Sequence, residues 1–462
     1  MKVKVLSRSA DDYTRARSSD IHKVQRNLDP TLHPFEKARE YTRALRATKM
    51  ERMMAKPFLG ALTGHVDGVY CMAKHPKKLD WLVSGGGDGD LRLWSLSDQK
   101  TVWATQGHKA MVTGVSSFLE GNMFISCSND RTVKIWDPTL FQMGSEDRGD
   151  VFSFAASTAT AQIAPVATYS GKNAFSGLSH HRSDNIFATS GSVVDIWDHD
   201  RAEPIQSLNW GVDTINTVKF NQTETNILAS TGSDRTIILY DLRTSQPITK
   251  VVLAMRTNAI AWNPMEAFNF MAANEDHNTY AFDMRKLDKA HNVLKDHVSA
   301  VMSVDYSPTG EEVVTGGYDR TVRVYKAREG HSRDMYHTAR MQRVFSVIYT
   351  MDNKYLLSGS DDGNVRLWKA RASERLGVRS NRERGHLEYS EKLKEKYQHV
   401  PEIRKIARHR NTPKPIKTAQ ARKKIMLDSR KTKDENMRKH TKKENQKERI
   451  PERKKAIVSV KK

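Results

Sequence analysis

The sequence predicts an all-β fold, a seven-bladed β-propeller, with a helical arm before it and a basic, largely helical extension after it. Three observations predict it. Seven segments in the middle of the chain end alike, mostly about 43 residues apart. Each ends in a short stretch of period-two alternation, as strands with one buried face require. The charge, finally, sits outside this region, so a nearly neutral body lies between two basic segments.

The repeat is read from its closing strands. GGGDGDLRLW ends at Trp94, CSNDRTVKIW at Trp136, TGSDRTIILY at Tyr240, NEDHNTYAF at Phe282, GGYDRTVRVY at Tyr325 and GSDDGNVRLW at Trp368. SGSVVDIW, ending at Trp197, fits more loosely. The closing aromatics are separated by 42, 61, 43, 42, 43 and 43 residues, and the one long gap holds a small-residue stretch, 138–168, that reads as an insertion loop. Six residues before the aromatic stands Asp88, Asp130, Asp234, Asp276, Asp319 or Asp362. Upstream come Gly64-His65, Gly107-His108 and Asp296-His297, and Ser84, Ser126, Ser230, Thr315 and Ser358 lie four residues before the Asp. Asp beside Gly or Asn marks the tight turn feeding each strand.

These residues resemble the WD-repeat proteins, whose propellers have four-stranded blades at this period. Seven repeats imply seven blades over 57–370. The last repeat ends at its third strand near Lys369, so its outer strand is expected from residues 57–62, which would close the ring and remove an exposed sheet edge.

His65, Ser84, Asp88 and Trp94 could be mistaken for a hydrolase triad with a neighbour. The set recurs as His108, Ser126, Asp130 and Trp136, and a nucleophilic site normally occurs once whereas a structural network occurs once per blade. Each such buried bond contributes about 1 kcal/mol net, and an unpaired member costs more. The network is incomplete elsewhere: Gly191 replaces the Asp of the third blade, Ala272 the Ser of the fifth, and Arg340 stands at the His position of the seventh.

No other catalytic signal is present, so the chain is read as a non-enzyme with no cofactor and no metal. Gly85-Gly86-Gly87 lacks the Gly-Lys-Ser/Thr of a phosphate loop. His180-His181 has no second ligand pair. Two cysteines, Cys71 and Cys127, cannot form a disulfide framework and point to a reducing compartment. Residues 1–10 lack an apolar signal core, and the longest uncharged run, 151–171, is too polar to span a bilayer. Secreted, membrane and disulfide-rich classes are thereby excluded as expectations.

The chain carries 76 Lys+Arg against 54 Asp+Glu, a formal charge of +22, which points to a polyanionic partner. Residues 371–462 hold 31 basic and 12 acidic side chains, residues 1–56 hold 14 and 7, and residues 57–370 hold 31 and 35. In the first arm (1–56), Pro34 suits a helix start, and Phe35, Ala38, Tyr41 and Leu45 form an apolar stripe with Arg39, Arg43, Arg46, Lys49 and Arg52 largely off it. In the extension (371–462), Tyr389, Leu393, Tyr397 and Val400 form a second stripe stopped by Pro401. The residues expected to hold RNA or ribonucleoprotein are Arg404, Lys405, Arg408, His409, Arg410, Lys414, Lys417, Arg422, Lys423 and Lys424. Residues 418–450 have too little apolar surface for a core of their own and must fold on a surface or stay mobile. About 6 phosphate contacts on single-stranded RNA would give a log–log salt slope of about −4, with little base specificity.

The flanks carry a closer resemblance. Leu32-His33-Pro34-Phe35-Glu36, Trp262-Asn263-Pro264-Met265-Glu266-Ala267-Phe268, Ala273-Asn274-Glu275-Asp276, Ala372-Ser373-Glu374-Arg375-Leu376-Gly377-Val378 and Ile406-Ala407-Arg408-His409-Arg410 are similar to the Sof-type nucleolar WD-repeat family. That resemblance implies a component of the small-subunit processome in the nucleus and nucleolus, with pre-rRNA and box C/D snoRNP proteins as partners, needed for the early cleavages toward 18S rRNA. The alternative is a substrate receptor for a cullin-type ubiquitin ligase. Tyr240-Asp241-Leu242-Arg243 and Phe282-Asp283-Met284-Arg285 resemble the box by which some WD-repeat proteins bind the ligase adaptor, with Tyr or Phe in place of Trp. Arg243 and Arg285 are thus partner-binding candidates, as are Arg131, Arg235 and Arg320, which each follow a turn Asp and belong on one rim.

Overall fold

The computed structural model describes residues 31, 34–118, 123–138, 164–210, 214–442, 445–446 and 448–461. Among these described residues seven antiparallel sheets follow one another, six of four strands and one of five. The first strand of each sheet contacts the first strand of the next, and that of blade 7 contacts that of blade 1, so the array closes as a propeller around a channel lined by the inner strands. Closure is made by strand Phe58–Thr63, which pairs with strand Asn364–Lys369 as the outer strand of blade 7, as the sequence predicts.

The alternation that announces each strand becomes packing between neighbouring blades. Val83, Leu91, Leu93 and Trp103 of blade 1 share a cluster with Val112, Val115, Phe124 and Trp136 of blade 2. Leu62, Val365 and Leu367 of blade 7 share another with Val69, Leu82 and Trp94 of blade 1. Blade 2's outer strand is Ala167–Ser170, so the last two residues of the expected insertion belong to the sheet, and most of the remainder of 138–168 lies outside the described residues.

Blade 4 has a fifth strand. Ile457–Lys461 pairs antiparallel with the outer strand Gln246–Leu253, and Ile457, Val460 and Ala456 join the core between blades 4 and 5. The compact unit therefore comprises Phe58–Ala370 with Thr412–Lys462. This division differs from the expected borders of 1–56, 57–370 and 371–462, because residues 371–411 group with residues 1–57 instead.

Among the described residues, that second unit holds three helices, α1 (Glu36–Met53), α2 (Asn381–Lys396) and α3 (Pro401–Arg408). Ser380 caps α2 by accepting from the Glu383 amide, and Pro401 opens α3. Ala44, Leu393 and Ile403 are buried together, flanked by Tyr41, Leu45, Tyr389, Tyr397 and Val400. The buried face of α1 is thus Glu40, Ala44 and Thr48 with Tyr41 and Leu45, one step round from the predicted stripe, and Phe35 and Ala38 stay exposed. Glu40 explains the shift: its buried carboxylate accepts from Lys396 Nζ at 2.7 Å and the Tyr397 hydroxyl at 3.1 Å, so an acid occupies a core position that hydropathy assigns to solvent.

Candidate functional site

Within each complete blade the turn and the closing aromatic are tied by one network. In blade 2 the Trp136 indole N–H donates to Ser126 Oγ at 2.8 Å, Ser126 Oγ lies 2.7 Å from His108 Nε2, and His108 Nδ1 lies 3.0 Å from Asp130 Oδ2. The carboxylate accepts from Nδ1–H, which leaves Nε2 to accept from the Ser hydroxyl. Asp130 also accepts from the Thr132 amide at 2.9 Å and hydroxyl at 2.6 Å. Blade 6 repeats this with His297, Thr315, Asp319 and Thr321. Its aromatic differs, since the Tyr325 hydroxyl donates to the Lys295 carbonyl at 2.7 Å.

Blade 1 departs from the predicted set. Trp94 donates to Ser84 at 2.7 Å and Ser84 meets His65 Nε2 at 2.6 Å, but Asp88 makes no hydrogen bond to His65 among the described residues. The acid facing His65 Nδ1 is Asp90, at 3.6 Å, itself held by Arg92 Nε at 2.6 Å. The reason lies two residues after the turn Asp. Blades 2, 4 and 6 have Thr there (Thr132, Thr236, Thr321), whose hydroxyl donates to the turn Asp, whereas the Asp90 carboxylate can only accept. Ligand-type atoms of His65, Asp88 and Asp90 lie within 4.8 Å of one another, yet Arg92 already neutralises Asp90, and the group belongs to the blade network. Burial, and then Arg92, push the His65 pKa down to about 4 against the pull of Asp88, so the imidazole is neutral near pH 7.

The blades with replaced residues are held otherwise. In blade 3, Trp197 donates to Thr189 Oγ1 at 2.9 Å. In blade 5, Tyr280 donates to Asp276. In blade 7, Trp368 donates to Ser358 at 2.8 Å, while Arg366 bonds Ser360 Oγ at 2.9 Å and pairs with Asp362, supplying the donor to the turn Asp that His108 and His297 supply in blades 2 and 6.

The residue after the turn Asp is left-handed in six blades: Gly89, Arg131, Arg235, His277, Arg320 and Gly363 have φ of 88°, 65°, 67°, 72°, 62° and 74°. Arg131, Arg235 and Arg320 thus occupy one repeated turn position, at a conformational cost of about 1 kcal/mol each relative to Gly. The two adaptor-box arginines differ. Arg285 is clamped to Asp283 at 2.9 and 3.1 Å with its guanidinium 4.2 Å from the Phe268 ring centroid, and these bonds hold the Asp283 carboxyl below its usual range against partial burial. The Arg243 side chain is 71% exposed and only approaches Asp241, at 3.7 Å.

The basic candidates fall into both units. In the three-helix unit Arg404, Lys405, Arg408 and His409 are exposed, and Arg410 folds back to the Ala407 carbonyl at 2.7 Å, which Arg52 also reaches at 2.7 Å. Two guanidiniums therefore cap the C-terminal end of α3. In the propeller unit, α4 (Lys414–His440) shows Lys414, Lys417, Arg422 and Lys424 to solvent. Lys423 turns inward and donates to the His297 carbonyl at 3.0 Å; burial lowers its pKa against the attraction of Asp276 and Asp296. It pins α4 to the rim instead of offering a free charge.

Ring, blade networks and borrowed closing strand define a WD-repeat protein. A profile described as "WD domain, G-beta repeat" matches residues 56–95, 99–137, 202–241, 289–326 and 334–369, and the strands it leaves out are mostly those of blades 3 and 5, where Gly191 and Ala272 break the pattern. A second profile, the "Sof1-like domain", matches residues 370–457. Protein SOF1 of Saccharomyces cerevisiae is 50% identical over 100% of this chain and 95% of its own length. DDB1- and CUL4-associated factor 13 of Homo sapiens is 48% identical over the whole of both chains, and its Xenopus laevis counterpart 49% over 96% of each. The chain belongs to this Sof1-like WD-repeat family. Among solved structures, the WD40 propeller domain of Doa1 superposes with a TM-score of 0.55 at 18% identity, over 68% of this chain and 96% of that one, which supports the fold.

Proposed function

We propose that this protein is a non-catalytic assembly factor of the small-subunit processome, acting in the nucleolus, where pre-rRNA and box C/D snoRNP proteins are its partners and pre-18S processing depends on it. The observation that carries the reading is the full-length match to SOF1 combined with the display of Arg404, Lys405, Arg408, Lys414, Lys417, Arg422 and Lys424 on helices whose buried sides are already used. Phosphates are the natural partners of such cations, and their contacts position a protein without reading sequence. Depleting the protein from cells is expected to accumulate unprocessed pre-rRNA, with rescue by the full chain and not by residues 1–370. Normal processing after depletion refutes the proposal.

A second reading, substrate receptor of a cullin-type ligase, is favoured by the exposure of Arg243 and by the relatives named DDB1- and CUL4-associated factor 13. Arg243→Ala is expected to abolish co-purification of the ligase adaptor. Arg285→Ala is expected to do less, because that guanidinium is engaged by Asp283 and Phe268. Unchanged recovery with both replaced removes this reading.

A further inference from the structure

In six blades the inner strand slips register at its second residue. Tyr70, Thr113, Asn216, Asn258, Met302 and Phe345 stand at these bulges. A bulge turns its extra side chain out of the regular pleat, and bulges collect beside functional sites. Part of this tier is polar and satisfied from within: Asn258 Nδ2 donates to the Val301 carbonyl at 2.9 Å and lies 3.7 Å from Met302 Sδ, and Thr113 Oγ1 donates to the Phe175 carbonyl at 2.8 Å.

Between blades 7 and 1 the tier is aromatic. Tyr70 stacks on Phe345 with centroids 4.6 Å apart and planes 16° apart, and Tyr318, in the turn of blade 6, meets Phe345 edge-on at 6.3 Å. The Arg343 guanidinium lies 4.4 Å from the Tyr318 centroid, so one ring already takes a cation on its face. Two carboxylates, Asp67 and Asp361, act on Tyr70, whose phenol pKa is raised by burial and then by both of them, against the lowering effect of the Arg343 cation. Neither forms an ion pair among the described residues. Gly87 and Gly68 make the approach possible: a Cβ at Gly87 would stand 2.3 Å from Asp67 Oδ2 and 2.9 Å from the Tyr70 ring, and one at Gly68 would stand 3.2 Å from Asp361 Oδ1.

We propose that this side of the channel mouth binds an arginine or lysine side chain from a basic segment of a partner polypeptide, held against the Tyr70–Phe345 stack and neutralised by Asp67 and Asp361. Aromatic faces and carboxylates without an ion-pair partner among the described residues together select a cation, and the same carboxylates repel the phosphates of a nucleic acid. The blades' net negative charge, 31 basic against 35 acidic residues over 57–370, points the same way. The proposal is independent of the pre-ribosomal reading, since it concerns the ring and a polypeptide.

The test uses the purified full-length chain, a fluorescein-labelled hexa-arginine peptide and fluorescence anisotropy at physiological salt. The double variant Asp67→Asn with Asp361→Asn is expected to weaken peptide binding on the order of tenfold or more. Tyr70→Leu is expected to weaken it similarly with an unchanged circular dichroism spectrum, and the exposed control Glu203→Gln is expected to bind like the wild type. Equal affinity for wild type and the double variant overturns the proposal. So does displacement of the peptide by hexauridine in the wild type but not in the Tyr70→Leu protein, which would assign the site to RNA.

Discussion

Leu62 lies opposite Val365 across the two strands that close the ring, one contributed from before the first repeat and the other from the last. Both are fully buried in the cluster shared by blades 7 and 1. Leu62→Ala is expected to lower unfolding free energy by about 3 kcal/mol through lost transfer energy and the cavity left behind. Chemical denaturation followed by tryptophan fluorescence checks it, and a loss under about 1 kcal/mol would mean that the closing strand contributes little.

Asp130 and Asp88 occupy the same repeat position but hold different numbers of donors. Asp130 accepts from His108, from the Lys109 amide and from Thr132 twice, whereas Asp88 accepts only from the Asp90 amide among the hydrogen bonds of the described residues. Asp130→Ala is expected to cost about 3 kcal/mol and Asp88→Ala about 1 kcal/mol, because the first strands several buried donors. Paired thermal and denaturant unfolding of the two variants measures the difference, and equal losses contradict it.

The His65 imidazole is neutral in the fold and has a pKa depressed to about 4, below the ordinary value of 6.5. On acidification the unfolded chain therefore takes up this proton first. Stability falls as pH drops from about 6.5 toward 4, with a limiting slope of about 1.4 kcal/mol per pH unit from this residue. His65→Gln removes that contribution, so its stability profile over the same window is expected to be flatter than the wild type's. An unchanged slope would show that His65 does not titrate as its burial demands.

Strand Ile457–Lys461 covers the outer edge of blade 4, with Val252 opposite Ser459 and Lys250 opposite Lys461. Truncation after Ile450 is expected to raise amide hydrogen exchange over residues 246–254 while leaving the outer strand of blade 6, Ser332–Tyr336, unchanged. Equal exchange in both proteins would mean that the added strand does not protect the edge.

The ring was legible because its signals are local and repeated: the turn Asp, the period-two strands and the closing aromatic recur within each blade. What stayed hidden depends on partners far along the chain. Val458-Ser459-Val460 is a short apolar run among lysines, and nothing near it in sequence names a strand some 200 residues earlier as its neighbour. Lys423 looks like any tail lysine until the His297 carbonyl is placed beside it. Glu40 reads as solvent-facing because its partners Lys396 and Tyr397 lie more than 350 residues away. The blade 1 network misled for a local reason, since Asp88 keeps its repeat position while Asp90 takes over the approach to His65. The bulges are invisible to period-two reading, and with them the aromatic part of the channel tier.

The proposed role has the exposed cations of the helical segments hold ribonucleoprotein while the blades do not. Ultraviolet crosslinking of the intact particle, with RNA adducts mapped along this chain, is the decisive measurement. Adducts are expected at or beside Arg404, Lys405, Arg408, Lys414, Lys417, Arg422 and Lys424, with few on Lys423 and few on the blades. Adducts confined to the blades, or none in particles that contain pre-rRNA, would refute that role.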